Sequence, residues 1–232
     1  MDYIRGDCHG DPAVWYAPVY GIRQNLKEGD RLFICGDFGY VNKPYYLDDL
    51  EKLPFTILFC DGNHENFDEL NHYPVELWNG GKIHRIRKNV IHLMRGQVYE
   101  IDGKRIFVMG GAASIDKKYL VEGVSWWPEE IPSEEEIEEA KKNLKRVDYE
   151  VDYIITHAPT REAMQELKLR PLSEEERLHR FLDKWIPLVV TYKHWYFRHI
   201  HLDAELENCE KQTSVWNYLR RMDTNETVNP LT

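Results

Sequence analysis

The sequence predicts an α/β fold built on parallel strands. Three observations point there. Short apolar runs alternate with segments of helical period through the first sixty residues, and each of the first three runs ends in a glycine-bearing polar cluster. A second series of apolar runs, carrying a hairpin signal, follows from residue 90. Runs bounded by turn residues and separated by helical stretches are the pattern of β-α-β units joined by right-handed crossovers.

Residues 3–6 form the first strand, closed by Gly6. Between 11 and 28 the apolar residues Trp15, Val19, Ile22 and Leu26 recur at helical spacing, and Gly29-Asp30 ends that helix. The run 31–35 is a buried-type strand. A second helical stretch over 45–53 leads through Pro54 into the strand 55–60. The runs 90–94, 97–101 and 105–109 read as short strands, the last two joined as a hairpin by Asp102-Gly103. The basic run 84–88 reads as a solvated loop, with a small anion-binding patch as the alternative. Residues 112–132 have no regular period. Ser133 with Glu136 forms a capping box that opens a helix whose early Glu and later Lys suit its dipole. The run 152–156 is a strand ending at His157, 173–185 is helical, 195–197 is a strand ending at a histidine pair, and 214–222 reads as a last strand. No repeat, low-complexity tract or linker interrupts the chain, so residues 1–232 read as one domain with an irregular insertion at about 112–132.

The 232 residues are 42% hydrophobic, 12% aromatic and 30% charged, enough for a sizeable core and too apolar for a disordered chain. Formal net charge is −10. An acidic surface repels duplex phosphates, so long nucleic acid is not an expected partner. Cys8, Cys35, Cys60 and Cys209 contain no C-x-x-C pair and are expected as reduced thiols. Cys35 and Cys60 read as buried small hydrophobes, and Cys8 as turned away from its polar neighbours. The first residues show no signal-peptide pattern, and no apolar run approaches the ~18 residues of a membrane span. A cytoplasmic protein is expected.

Five short stretches carry the chemistry. Asp7 and His9 are two apart, so on an extended segment they point the same way, a plausible half-site for a divalent first-row metal. Asp37 follows the next parallel strand, and Asn63 with His64 the one after. Such strand ends lie close together, where open α/β sheets bind ligands. Asp37 is placed to bridge two ions, with one oxygen for each or one oxygen shared. His157, His199 and His201 lie at further strand ends and can complete both shells. Taken singly, each of these residues is a turn residue, a cap or a solvated histidine. As an ordered set of eight they point to a metal site. His72, His84, His92, His179 and His194 lack such a context and read as structural.

The series Gly6-Asp7-Cys8-His9-Gly10, Gly36-Asp37, Gly62-Asn63-His64-Glu65, His157 and His199-Ile200-His201 resembles the calcineurin-like metallophosphoesterase superfamily. The aromatic run 195–197 and the stretch 110–116 are similar to its small bacterial or phage members. The resemblance runs from residue 5 to 203. It implies a two-sheet αββα sandwich, with mixed sheets, flanking helices and two metal ions at one edge. It also implies that Asp7, His9 and His201 hold the first ion, that Asp37 bridges, and that Asn63, His157 and His199 hold the second. His64 would stand beside the scissile phosphate as a non-ligand. Two adjacent cations lower the pKa of a shared water and clamp phosphoryl oxygens, while His64 can protonate the leaving oxygen. The implied function is a metal-dependent phosphatase or phosphodiesterase, in which a metal-bound hydroxide attacks a small nucleotide-type mono- or diester. Mixed His, Asp and Asn ligation fits Mn, Fe, Zn or Ni.

Two departures qualify the pattern. Arg198 stands where the family has the glycine of G-H-x-H. As a bulky replacement it can shift His199, or reach the site and bind substrate phosphate. The ordinary outcome for a strand residue is to point to solvent. Protein serine/threonine phosphatases of the superfamily carry G-D-x-x-D-R-G, whereas 36–42 here lack the later Asp and the Arg. That argues against a phosphoprotein substrate. In the 112–132 insertion, Trp126 and Trp127 are candidates to stack on a base, against burial as packing residues. Two rival functions are a nuclease or DNA phosphodiesterase, weakened by the net charge, and a non-catalytic interaction scaffold, which Arg198 alone supports.

Overall fold

A computed structural model describes residues 1–209 and 211–228. In chain order the first half holds β1 (Asp2–Arg5), α1 (Ala13–Tyr16), α2 (Ile22–Asn25), β2 (Arg31–Ile34), α3 (Pro44–Leu50), β3 (Thr56–Phe59), α4 (Phe67–His72), β4 (Val75–Trp78), β5 (Gly81–Arg87) and β6 (Val90–Leu93). The second half holds β7 (Gln97–Ile101), β8 (Lys104–Met109), α5 (Glu134–Arg146), β9 (Tyr153–Thr156), α6 (Arg161–Glu166), α7 (Glu176–His179), α8 (Ile186–Val189), β10 (His194–Phe197), β11 (Ala204–Glu205), β12 (Gln212–Ser214) and β13 (Arg220–Arg221).

These strands form two mixed sheets, ordered β13-β1-β2-β3-β6-β5-β4 and β11-β12-β10-β9-β8-β7. The β1-β2-β3 core is parallel, as the sequence pattern predicts. Along β2 and the residue after it, Leu32 and Ile34 face one side while Phe33 and Cys35 face the other, and both sides are buried. The first pair packs under α1–α4 with Trp15, Leu47 and Leu50. The second meets Ile106, Val108, Ile155 and Tyr196 of the other sheet. That sheet's outer face, with Phe107, Ile154 and Trp195, packs on Ile137, Ala140 and Leu144 of α5 and on Phe181. The order of layers is therefore helix, sheet, sheet, helix, and the strands read as continuous apolar runs because both faces are covered.

Several elements differ from the sequence reading. The helix expected over 11–28 is broken into α1, a 3-10 turn at Pro18–Tyr20 and α2. Pro18 lacks the amide that a continuous helix needs, and Gly21 takes a left-handed φ of 68°. Val19 is exposed as a result. The basic run 84–88 is not a solvated loop: most of it is β5, with His84 and Ile86 buried. β4 has no strong sequence signal, since Val75 and Leu77 are exposed on an edge strand. The helix read over 173–185 is a 3-10 turn, α7 and a wider π-type turn before α8. The strand read over 214–222 divides into β12 and β13. The Asp203 carboxylate captures the Trp216 and Asn217 amides at 2.7 and 3.0 Å, which withdraws them from any ladder. The 90–94 run lies in the first sheet, although the hairpin that follows it belongs to the second.

Candidate metal centre

The site lies at the C-terminal ends of parallel strands from both sheets. β1, β2 and β3 deliver Asp7 and His9, Asp37, and Asn63 with His64; β9 and β10 deliver His157, and His199 with His201. Beyond each strand end the chain turns sharply. His9, Asp37, His199 and His201 all take φ between 48° and 72°. L-residues seldom adopt this region, and its clustering here marks a site where surrounding contacts impose the backbone. Two glycines permit the crowding: a Cβ at Gly36 would run into the His157 ring, and one at Gly62 into Asp37 Oδ1.

Donor atoms of Asp7, His9 and His201 all lie within 4.8 Å of one another. His9 Nε2 stands 2.6 Å from Asp7 Oδ2 and His201 Nε2 3.5 Å from it. Asp7 Oδ2 is nevertheless a buried oxygen with no hydrogen-bond partner. Asp7 Oδ2, His9 Nε2 and His201 Nε2 therefore converge on a common point, with one Asp7 oxygen and two imidazole nitrogens available there. These residues fit a divalent ion. Asp37 Oδ2 extends the cluster, 3.8 Å from His9 Nε2 and 3.4 Å from His157 Nε2. Its other oxygen accepts the His64 amide at 2.8 Å, which leaves Oδ2 facing both His9 and His157. Asn63 Oδ1 lies 3.0 Å from His157 Nε2, and the His199 ring meets the His157 ring at 5.1 Å. His64 is exposed, its ring 5.4 Å from that of His9. All eight residues singled out by the sequence thus come together.

Electrostatics suit cation binding. Burial pushes the Asp7 carboxyl up, but the His9 imidazole and the Arg198 guanidinium hold it at about 2. Burial also raises Asp37, and the surrounding His157, His64 and His9 drive it well below the carboxylate range. Burial, reinforced by His157, lowers His199 to about 4, so it is a neutral donor at pH 7. His157 Nδ1 donates to the Cys35 carbonyl at 2.7 Å, so Nε2 is the nitrogen that faces Asp37 and Asn63; burial lowers the imidazole's pKa, and Asp37 more than offsets it. Cys8 points into the core, with burial raising its thiol to about 12.

Arg198 does not point to solvent, and its guanidinium is not free for substrate. It has no exposed surface, and both Nε and Nη2 lie 2.6 Å from Asp7 Oδ1. It crosses Gly6, where a Cβ would lie 2.8 Å from Arg198 Cδ. Trp216, which no sequence signal marks, sits between Arg198 and His201, with its ring 5.4 Å from the guanidinium and stacked on the imidazole. Trp127 is mostly buried, donates Nε1–H to Asp68 at 2.9 Å, and walls a groove of about 250 Å³ beside His9 and His64. Trp126 turns away from that groove and lies under the Lys117 ammonium at 3.8 Å. Lys43 also lines the groove; no motif marks it in the sequence, where it is one cation among many. A larger cavity of about 540 Å³, on the other side of Asp61, contains none of the eight residues.

No protein-family model matches the chain, and no curated protein matches it. Among solved structures, phosphopantetheinyl hydrolase from Mycobacterium tuberculosis is similar over 93% of this chain and 89% of that one, with a TM-score of 0.50 at 13% sequence identity. That likeness extends across both sheets and is one of fold: a two-sheet α/β sandwich with flanking helices.

Proposed function

We propose that this chain is a metal-dependent phosphoesterase of the calcineurin-like type, binding two divalent ions and hydrolysing a small nucleotide-type mono- or diester. The observation that carries this reading is the convergence of Asp7 Oδ2, His9 Nε2 and His201 Nε2, joined through Asp37 Oδ2 to His157 and Asn63. The structural neighbour is itself a hydrolase, which supports the reaction class. Two bound ions would supply a hydroxide nucleophile near neutral pH and positive charge against the phosphoryl oxygens.

The chain's own residues do the rest. Asp7, His9 and His201 would hold the first ion, and Asn63, His157 and His199 the second, with Asp37 placed to serve both. His64 is exposed at the groove with its amide fixed to Asp37, so its imidazole can give a proton to the leaving oxygen. Lys43, the one Lys or Arg lining the groove among the described residues, attracts the substrate phosphate. The net charge of −10 disfavours long nucleic acid.

The test is a panel of phosphomonoesters, cyclic nucleotides and dinucleotides with added Mn²⁺, Zn²⁺ or Ni²⁺. Hydrolysis that chelator abolishes is expected. His64→Ala should keep its bound metal and lose about 10²- to 10⁴-fold in kcat. A metal-loaded protein inactive across the panel overturns the reading.

A further inference from the structure

An asparagine amide presents either oxygen or nitrogen, and only the oxygen can hold a cation. Something must therefore choose the orientation of Asn63. Its Nδ2 donates to Ser114 Oγ at 3.1 Å, which leaves Oδ1 turned toward His157 Nε2. The Ser114 hydroxyl has one proton, and that proton goes to Glu130 Oε2 at 2.7 Å. Toward Asn63 the hydroxyl can then only accept. The direction of the chain is set from its far end, the Glu130 carboxylate, which has no exposed surface.

The backbone holds this relay in place. The Gly111 amide donates to the Asp61 carbonyl and the Ala112 amide to the Glu130 carbonyl, each at 3.1 Å. Ala113 donates to Glu175 Oε1 at 3.0 Å. Lys117 Nζ lies 3.6 Å from Glu130 Oε1 and also against the Trp126 ring, so the irregular 112–132 insertion, with its candidate stacking residue Trp126, is tied to the candidate metal centre.

We propose that Ser114, backed by Glu130, is a positioning residue that locks the Asn63 amide with its oxygen toward the second ion. This rests on the two-ion reading above. The experiment is Mn²⁺ titration by calorimetry, independent of turnover, on the full chain, with thermal melting to check folding. The wild type should bind two ions. Ser114→Ala should weaken the second about 10- to 100-fold and leave the first step in place. Glu130→Gln, which lets the hydroxyl reverse, should show a smaller loss of the same kind. In an Asn63→Asp background both ends of the side chain present oxygen, so adding Ser114→Ala should cost nothing further. A role in folding alone would cost the same in both backgrounds, and that result overturns the proposal. So does an unchanged second step in Ser114→Ala. A wild type that takes fewer than two ions overturns the two-ion reading instead, and this inference with it.

Discussion

Arg198 and Asp7 are 191 residues apart in sequence, and each is buried against the other. Arg198 satisfies Asp7 Oδ1 and so directs Oδ2 at His9 and His201. Burial lowers the guanidinium's pKa, so the pair depends on close contact. Breaking a buried ion pair from one side strands the other charge. Arg198→Met should therefore destabilise the metal-free protein by roughly 3 kcal/mol, measured by urea denaturation in chelator. An unchanged midpoint would show that Asp7 finds its partner elsewhere. Sequence reading identified Arg198 as a departure but not its direction. Side-chain direction just past a strand end depends on the local turn, and His199, the next residue, is in the left-handed region.

Among elements, α5 is the one whose start is most legible. Ser133 accepts the Glu136 amide at 3.1 Å, and Glu136 Oε2 accepts the Ser133 amide at 2.7 Å. Glu136 also reaches Arg95, whose guanidinium grips Asp61 beside the Gly62 turn. Ser133→Ala should cost about 1 kcal/mol of stability by denaturant titration. A loss under a few tenths would mean that packing of Ile137, Ala140 and Leu144 holds the helix without its cap. The short α1, α2, α7 and α8 were poorly legible for the opposite reason. Apolar spacing alone cannot distinguish one helix from two broken by Pro18 and Gly21, because Trp15, Ile22 and Leu26 are buried either way and only Val19 differs.

At the scale of the whole molecule, the two sheets pack face to face and bring their C-terminal strand ends together at the candidate metal centre, while ordinary histidines are built into the strands. Burial and the facing His92 lower His84 to about 4; burial and Arg220 lower His194 to about 4. Above pH 6.5 both are neutral folded or unfolded. As pH falls from 6.5 toward 4 the unfolded chain takes up protons that the folded chain refuses, so stability declines through that window. After solvent screening the two together should remove roughly 3 kcal/mol. Chemical denaturation at a series of pH values should show that slope, and His84→Gln with His194→Gln should flatten it. An unaltered slope in the double variant would assign the acid loss to other groups.

The sequence by itself determined the α/β class, the parallel start and the order in which polar clusters follow strands. Each of these depends on residues close together in the chain. It also marked the capping box and the Asp102-Gly103 hairpin, both local devices. Only the tertiary structure decided that β9 and β10 bring their histidines to the ends of β1–β3. It alone turned Arg198 inward onto Asp7, stacked Trp216 on His201, and set Ser114 behind Asn63. Those contacts span tens to nearly two hundred residues, and local preference carries no information about them. They arise because two sheets bury one face against each other and leave their C-terminal edges side by side.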